Sequence, residues 1–248
     1  MGMQSSTEED QALDALHGYK VVLFAVATLA ELRESDTESH LLRVQHYVRH
    51  LAEKLQNHPS HAPLLTSSYI EMLCASVAMY DLGTVAIPDR ILLKPGRLAP
   101  EELAIMKSHT TLGYEAIVRA EKRLGLRSSG LTLAKELTQS HHEKWNGKGY
   151  PKGLSETQIP LSAWLVALAD VYDALISNKI YRQGMAHDAA VGVIFGERGQ
   201  HFDPDVVDAF MELTVEFEDV ARRFADTDQD MQNKIEYMAN AIAEIAEL

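Results

Sequence analysis

Apolar residues recur every three or four positions along most of this chain, and no stretch alternates with the period of two that a half-buried strand requires. That pattern confines the fold to helices packed on helices. Thr37–Gln56 carries Leu41, Val44, Val48, Leu51, Ala52 and Leu55 on one stripe, and Asn57, His58 and Pro59 stop it. Further helices are predicted over Gln11–Arg33, Leu64–Leu82, Pro100–Arg123, Leu131–Lys144, Leu161–Ser177, His187–Glu197, Asp205–Phe224 and Asp228–Glu247. Two connections are dense in helix breakers: Gly83, Pro88, Pro95, Gly96 and Pro100 in one, Gly147, Gly149, Pro151 and Gly153 in the other. The expected architecture is all-α. A helical domain over 34–224 carries an added N-terminal helical segment over 1–33 and a C-terminal helix over 225–248.

Charge excludes whole classes of partner. Lys and Arg total 23 against 36 Asp and Glu, a net charge of −13. No basic footprint is available to release counterions from a DNA or RNA tract, or to hold an anionic membrane surface. The longest apolar run, Val21–Ala30, is too short for a bilayer, so a cytoplasmic protein is expected. Left uncovered, that run would expose an apolar patch, which makes a homodimer an expected arrangement. A single cysteine, Cys74, excludes a disulfide framework and a thiolate-rich zinc site. Any metal must be held by imidazole and carboxylate, drawn from eleven histidines and many acids.

Candidates for that work flank the two loops: Asp36 with His40, Asp81, His109, the pair His141–His142, and Asp170 with Asp173. Asp36 and His40 are four apart and share a helix face. Adjacent His141 and His142 converge only if their helix ends beside them. Asp170 and Asp173 lie three apart within the apolar run Leu165–Leu175, where a carboxylate is costly unless paired or metal-bound. His17, His46, His50, His58, His61 and His187 are read as ordinary surface or core histidines, and His201 as part of a structural block.

Five ordered blocks resemble the HD-GYP family of HD-domain metal-dependent phosphohydrolases. They are Ile87–Leu98 (IPDRILLKPGRL), Met106–Gly113 (MKSHTTLG), His141–Leu154 (HHEKWNGKGYPKGL), Ala167–Ser177 (ALADVYDALIS) and Gly199–Phe210 (GQHFDPDVVDAF). The resemblance covers roughly Leu29 to Phe210. It implies cyclic di-GMP as ligand and divalent metal, Fe or Mn, as cofactor. By the same resemblance His40, Asp81 and Asp170 match ligands of one metal. His109, His141 and His142 match ligands of a second that Asp81 bridges, and Asp36 matches an acidic position contributing to a further metal in some members. Gly149, Tyr150 and Pro151 form the substrate-side loop, and Asp173, Lys179 and Arg182 match positions near the nucleotide. Contacts between that loop and diguanylate cyclase (GGDEF) domains are a further implication.

Two positions depart from the family. Its His-Asp dipeptide reads Tyr80-Asp81, and the Gly-Lys that follows reads Gly83-Thr84. A phenol, with a pKa of about 10, is a poor ligand beside an imidazole. A hydroxyl carries no charge to neutralise a scissile phosphate. One such lost donor raises a barrier by about 2.7–4 kcal/mol. The expected protein keeps one metal well and the second weakly. It binds the cyclic dinucleotide or a protein partner with weak or no phosphodiesterase activity. The alternative is an active metal-dependent phosphodiesterase hydrolysing cyclic di-GMP to pGpG or GMP.

Overall fold

A computed structural model describes residues 8–31, 33, 38–94, 96–178 and 182–246. Among them the chain is all-α, without a strand. Helices α1 (Glu8–Glu31), α2 (Glu38–Leu55) and α3 (Ser67–Val77) lead into a short 3-10 turn, Leu82–Ala86. The chain continues through α4 (Asp89–Leu92), α5 (Pro100–Lys107), α6 (His109–Leu124) and α7 (Ser129–Ser140). After the second loop come α8 (Leu161–Ile176), α9 (His187–Gly196), α10 (Pro204–Met211), α11 (Thr214–Arg223) and α12 (Asp228–Ala246).

Helix α2 is the central strut. Its apolar stripe packs on α3, α8, α10 and α11, and Leu41, Val44, Val48, Leu51 and Ala52 are buried there. Helix α8 is covered nearly all round, which explains its almost unbroken apolar sequence. Between them Tyr47 stacks on Phe217 at 4.5 Å, and Tyr172 meets both edge-on at 5.2 and 5.1 Å. Such pairs add about 0.5–1.5 kcal/mol beyond the area they bury.

Three predicted helices end or break where the site needs it. The span Pro100–Arg123 divides at Ser108, whose hydroxyl donates to Ile105 O and so satisfies a C-terminal carbonyl of α5. Asp205–Phe224 divides at Glu212–Leu213, where tight backbone bonds close α10. Leu131–Lys144 stops at Ser140, so His141 and His142 stand just past a helix end. Helix α6 crosses the 3-10 turn at two glycines. A Cβ on Gly83 would stand 1.9 Å from His109 O, and one on Gly113 2.4 Å from Thr138 Cγ2. Only glycine permits that approach, which brings His109 beside Asp81. From the other side Arg33 donates to Thr84 O at 3.3 Å and Ile87 O at 3.0 Å, tying the region after α1 to the same turn.

Candidate metal centre

Four side chains converge from three places: Asp81 before the 3-10 turn, His109 at the start of α6, and His141 and His142 past α7. One ligand atom from each lies within 4.8 Å of the others. Asp81 Oδ1 is 3.3 Å from His109 Nε2 and 3.2 Å from His141 Nε2, and the two Nε2 atoms are 3.5 Å apart. Two ligands about 2.05 Å from one tetrahedral cation stand about 3.3 Å apart, so these separations suit a common ion. The outer nitrogens fix the tautomers. His109 Nδ1 donates to Met106 O at 2.7 Å and His141 Nδ1 to Leu137 O at 2.8 Å, which leaves both Nε2 atoms facing inward, where each can donate to Asp81 or, once deprotonated, ligate a cation. Desolvation works against the Asp81 charge, yet hydrogen bonds from His109 and His141 hold its carboxyl well below the usual range. Desolvation and the neighbouring His141 hold His142 well below the usual imidazole range, so it is neutral and able to ligate.

The adjoining seat is built differently. His40 Nε2, at the start of α2, comes within 3.6 Å of Asp170 Oδ1, on α8. The Tyr80 hydroxyl joins the pair from the side, 2.7 Å from His40 Nε2, and donates to Asp170 Oδ1 at 3.0 Å. A separate cavity of about 20 Å³, room for a single water, lies where Ala27, Ala30 and Glu31 of α1 meet His40, Tyr80 and Asp81. His40 Nδ1 donates in turn to Asp173 Oδ2 at 2.8 Å. Burial opposes a charge on His40, but the hydrogen bond and charge of Asp173, with Asp170 beyond, raise its pKa to about 9. An imidazolium therefore sits between the two carboxylates.

Asp173, expected beside a nucleotide, is instead completely buried. Its oxygens accept from Arg43 Nε at 2.6 Å and Nη2 at 2.9 Å. The three-residue offset from Asp170 turns it inward, where a buried guanidinium neutralises it. Desolvation pushes its carboxyl up, and His40 and Arg43 bring it down to about 2. Thr84 is buried and its hydroxyl donates to Asp81 O at 2.8 Å, so it braces the turn. Arg182 is exposed and donates to Ala174 O. Asp36 and Lys179 lie outside the described residues.

The glycine-rich loop closes over the cluster. Tyr150 stacks on His142 at 4.8 Å, with Lys107 Nζ 4.8 Å from its ring centre. The Tyr150–Pro151 peptide is cis. Gly149 lies flat against the backbone at Glu143–Lys144, where a Cβ would come within 2.3 Å of Lys144 N. The buried Glu143 carboxylate accepts from Lys152 N at 2.7 Å and Leu154 N at 2.9 Å, drawing the loop back on its own beginning. Sequence reasoning passed over Arg43, Lys107 and Glu143. Arg43 had a legible signal, a lone cation on the apolar face of α2; the other two had none.

The comparisons agree with this geometry. A family model described as HD domain matches residues 26–206. A "Probable cyclic di-GMP phosphodiesterase" of Vibrio cholerae is 45% identical over 229 residues, covering 92% of this chain and 51% of that protein. A second V. cholerae protein, "Cyclic di-GMP phosphodiesterase", is 48% identical over 206 residues, covering 83% of this chain and 42% of its own length. The solved structure of a cyclic GMP-AMP specific phosphodiesterase of V. cholerae superposes with a TM-score of 0.57 at 18% identity, over 92% of this chain and 60% of that one. An all-helical bundle with an Asp–His cluster at its helix ends is an HD-domain arrangement. The chain belongs to the HD-domain family, in its HD-GYP branch. It spans about half the length of the curated relatives it matches. No helix among the described residues is long and apolar enough to cross a membrane.

Proposed function

We propose that this chain is a recognition module of cyclic di-GMP signalling that holds one divalent metal and turns the dinucleotide over weakly or not at all. The observation that carries the reading is the Tyr80 hydroxyl bridging His40 and Asp170. Two cations side by side would supply a hydroxide at neutral pH and a clamp for phosphodiester oxygens. Asp81, His109, His141 and His142 offer one such seat, for Fe or Mn. At the other, the phenol of Tyr80 stands where the family has an imidazole, its hydroxyl held by His40 and Asp170. Thr84, turned to its own backbone, does not reach out to a phosphate.

The parts that receive a ligand are retained. Tyr150 presents a ring at the mouth, Lys107 lies over it, and Lys144, Lys148 and Lys152 give an acidic protein a local positive rim. Gly149, Tyr150 and Pro151 offer the same surface to a diguanylate cyclase (GGDEF) domain. A cytoplasmic location and a homodimer through α1 belong to the same proposal.

The test is metal content and cyclic di-GMP turnover with Mn or Fe(II) supplied, for the parent and for Tyr80→His with Thr84→Lys. The proposal expects one metal at this centre in the parent, counted as the metal lost on His109→Ala, and turnover at least a hundredfold higher in the double variant. Rapid turnover by the parent with two metals bound would instead establish the active phosphodiesterase.

A further inference from the structure

Away from this centre, the turn between α2 and α3 and the first turn of α10 bring together His58, His61 and Asp205. His61 Nε2 is 3.2 Å and His58 Nε2 3.9 Å from the same oxygen, Asp205 Oδ2. One ligand atom from each residue lies within 4.8 Å of the others. We infer that these three residues form a separate metal site, for a borderline divalent cation of the zinc class, with two imidazoles, one carboxylate and an open fourth position.

Geometry supports this first. Ligands of one tetrahedral zinc stand about 3.3 Å apart. Of the three edges, His61–Asp205 is at length at 3.2 Å, while His58–Asp205 at 3.9 Å and His58–His61, within 4.8 Å, shorten on binding. Backbone bonds set the two histidines on one turn: His61 N and Ala62 N both donate to His58 O, at 3.0 and 2.9 Å. Asp203 caps α10 by accepting from Val206 N at 2.9 Å, which fixes the turn carrying Asp205. Trp164 meets the His61 ring edge-on at 6.4 Å.

A purely structural pairing accounts for less. One hydrogen bond from His61 satisfies Asp205, yet the His58 ring is stacked against it at 4.9 Å and 28°, aimed at the same oxygen. His58 Nδ1 is buried without a hydrogen-bond partner, so no internal bond explains that ring's orientation. Two imidazole nitrogens converging on one carboxylate oxygen suit one shared cation.

The site is independent of the first. The fifteen-residue rise of α2 from His40 to Leu55 separates them by about 22 Å. A cation here staples the α2–α3 turn to α10. The residues just before α10, Gln200 and His201, accept from Asn146 N and Trp145 N, both at 3.0 Å, and so frame the glycine-rich loop. Nothing in the staple depends on whether the first centre turns over a dinucleotide.

Calorimetric titration of the metal-stripped full chain with ZnCl2 tests it, comparing the parent with His58→Gln and Asp205→Asn. Each variant is expected to bind one zinc fewer per chain. The parent should melt about 5 °C or more higher in zinc at a hundredfold excess over Kd, a gain beyond that of either variant. Cobalt(II) should give a tetrahedral visible band whose intensity per chain is lower in Asp205→Asn than in the parent, by the share of this site. His58 is the more exposed ring, so His58→Gln keeps its metal-free melting temperature and decides the matter if Asp205→Asn misfolds. An unchanged zinc count in His58→Gln, or no zinc bound beyond the first centre in the parent, overturns the site.

Discussion

Replacing Arg43 by methionine should be among the most damaging single changes outside the metal centre. The guanidinium is buried and donates two bonds to Asp173, one to Phe224 O at 2.9 Å, one to Ser177 Oγ at 3.0 Å and a longer one to Asp226 Oδ1 at 3.3 Å. Methionine fills most of the volume but leaves the Asp173 carboxylate with His40 Nδ1 at 2.8 Å and Ser177 Oγ at 3.1 Å. Breaking a buried ion pair from one side costs about 3–5 kcal/mol, because the remaining charge is uncompensated. The His40 imidazolium stays close, so the lower end, about 3 kcal/mol, is expected. For a chain of this size that lowers the melting temperature by about 6–12 °C. Urea unfolding of Arg43→Met, Asp173→Leu and the double variant measures it. The double variant should lose less than the sum of the singles by about 1 kcal/mol or more, since Arg43 and Asp173 no longer strand each other, while Asp226 and His40 each lose one partner in it. Additive losses, or a loss under about 1 kcal/mol for Arg43→Met, would refute the reasoning.

Three further outcomes follow from the same structure. Gly83→Ala should destabilise by about 1–3 kcal/mol and weaken metal retention at Asp81 and His109, read by urea unfolding and metal analysis, because its Cβ would strike His109 O. In the metal-free protein His40 has its pKa raised from 6.5 to about 9. A raised pKa stabilises fully below about 6.5 and the gain fades as pH rises through about 9, so the urea midpoint should fall over that interval by about 3 kcal/mol of stability. His40→Asn should flatten the profile. Glu143→Ala frees the Lys152 and Leu154 amides, and hydrogen exchange across 146–155 should accelerate at least tenfold.

Much of this architecture was legible because helical periodicity is a local signal. The stripe on α2 and the apolar run of α8 announced the two helices that meet in the core. The need for two adjacent imidazoles to converge called for a helix end beside them, but the periodicity ran on to Lys144 and the stop at Ser140 was not legible. The breaks at Ser108 and Glu212–Leu213 were not legible, since apolar spacing continues through both and tertiary packing alone redirects the chain. The resemblance placed Asp173 near a nucleotide, and its burial was not legible because its partner, Arg43, lies 130 residues away. His58 and His61 looked ordinary because Asp205, which gives them meaning, is 144 residues from His61.

The glycine-rich loop is closed on its own start by Glu143 and pressed flat at Gly149. Its shape is therefore set before anything binds. A flexible loop of that length loses about 1–2 kcal/mol of backbone entropy for each residue it orders on contact; this one has already lost it in folding. Association with it should be fast and nearly rigid-body, with little coupled ordering in its heat capacity. Discrimination among ligands then rests on whether their outline fits a fixed template.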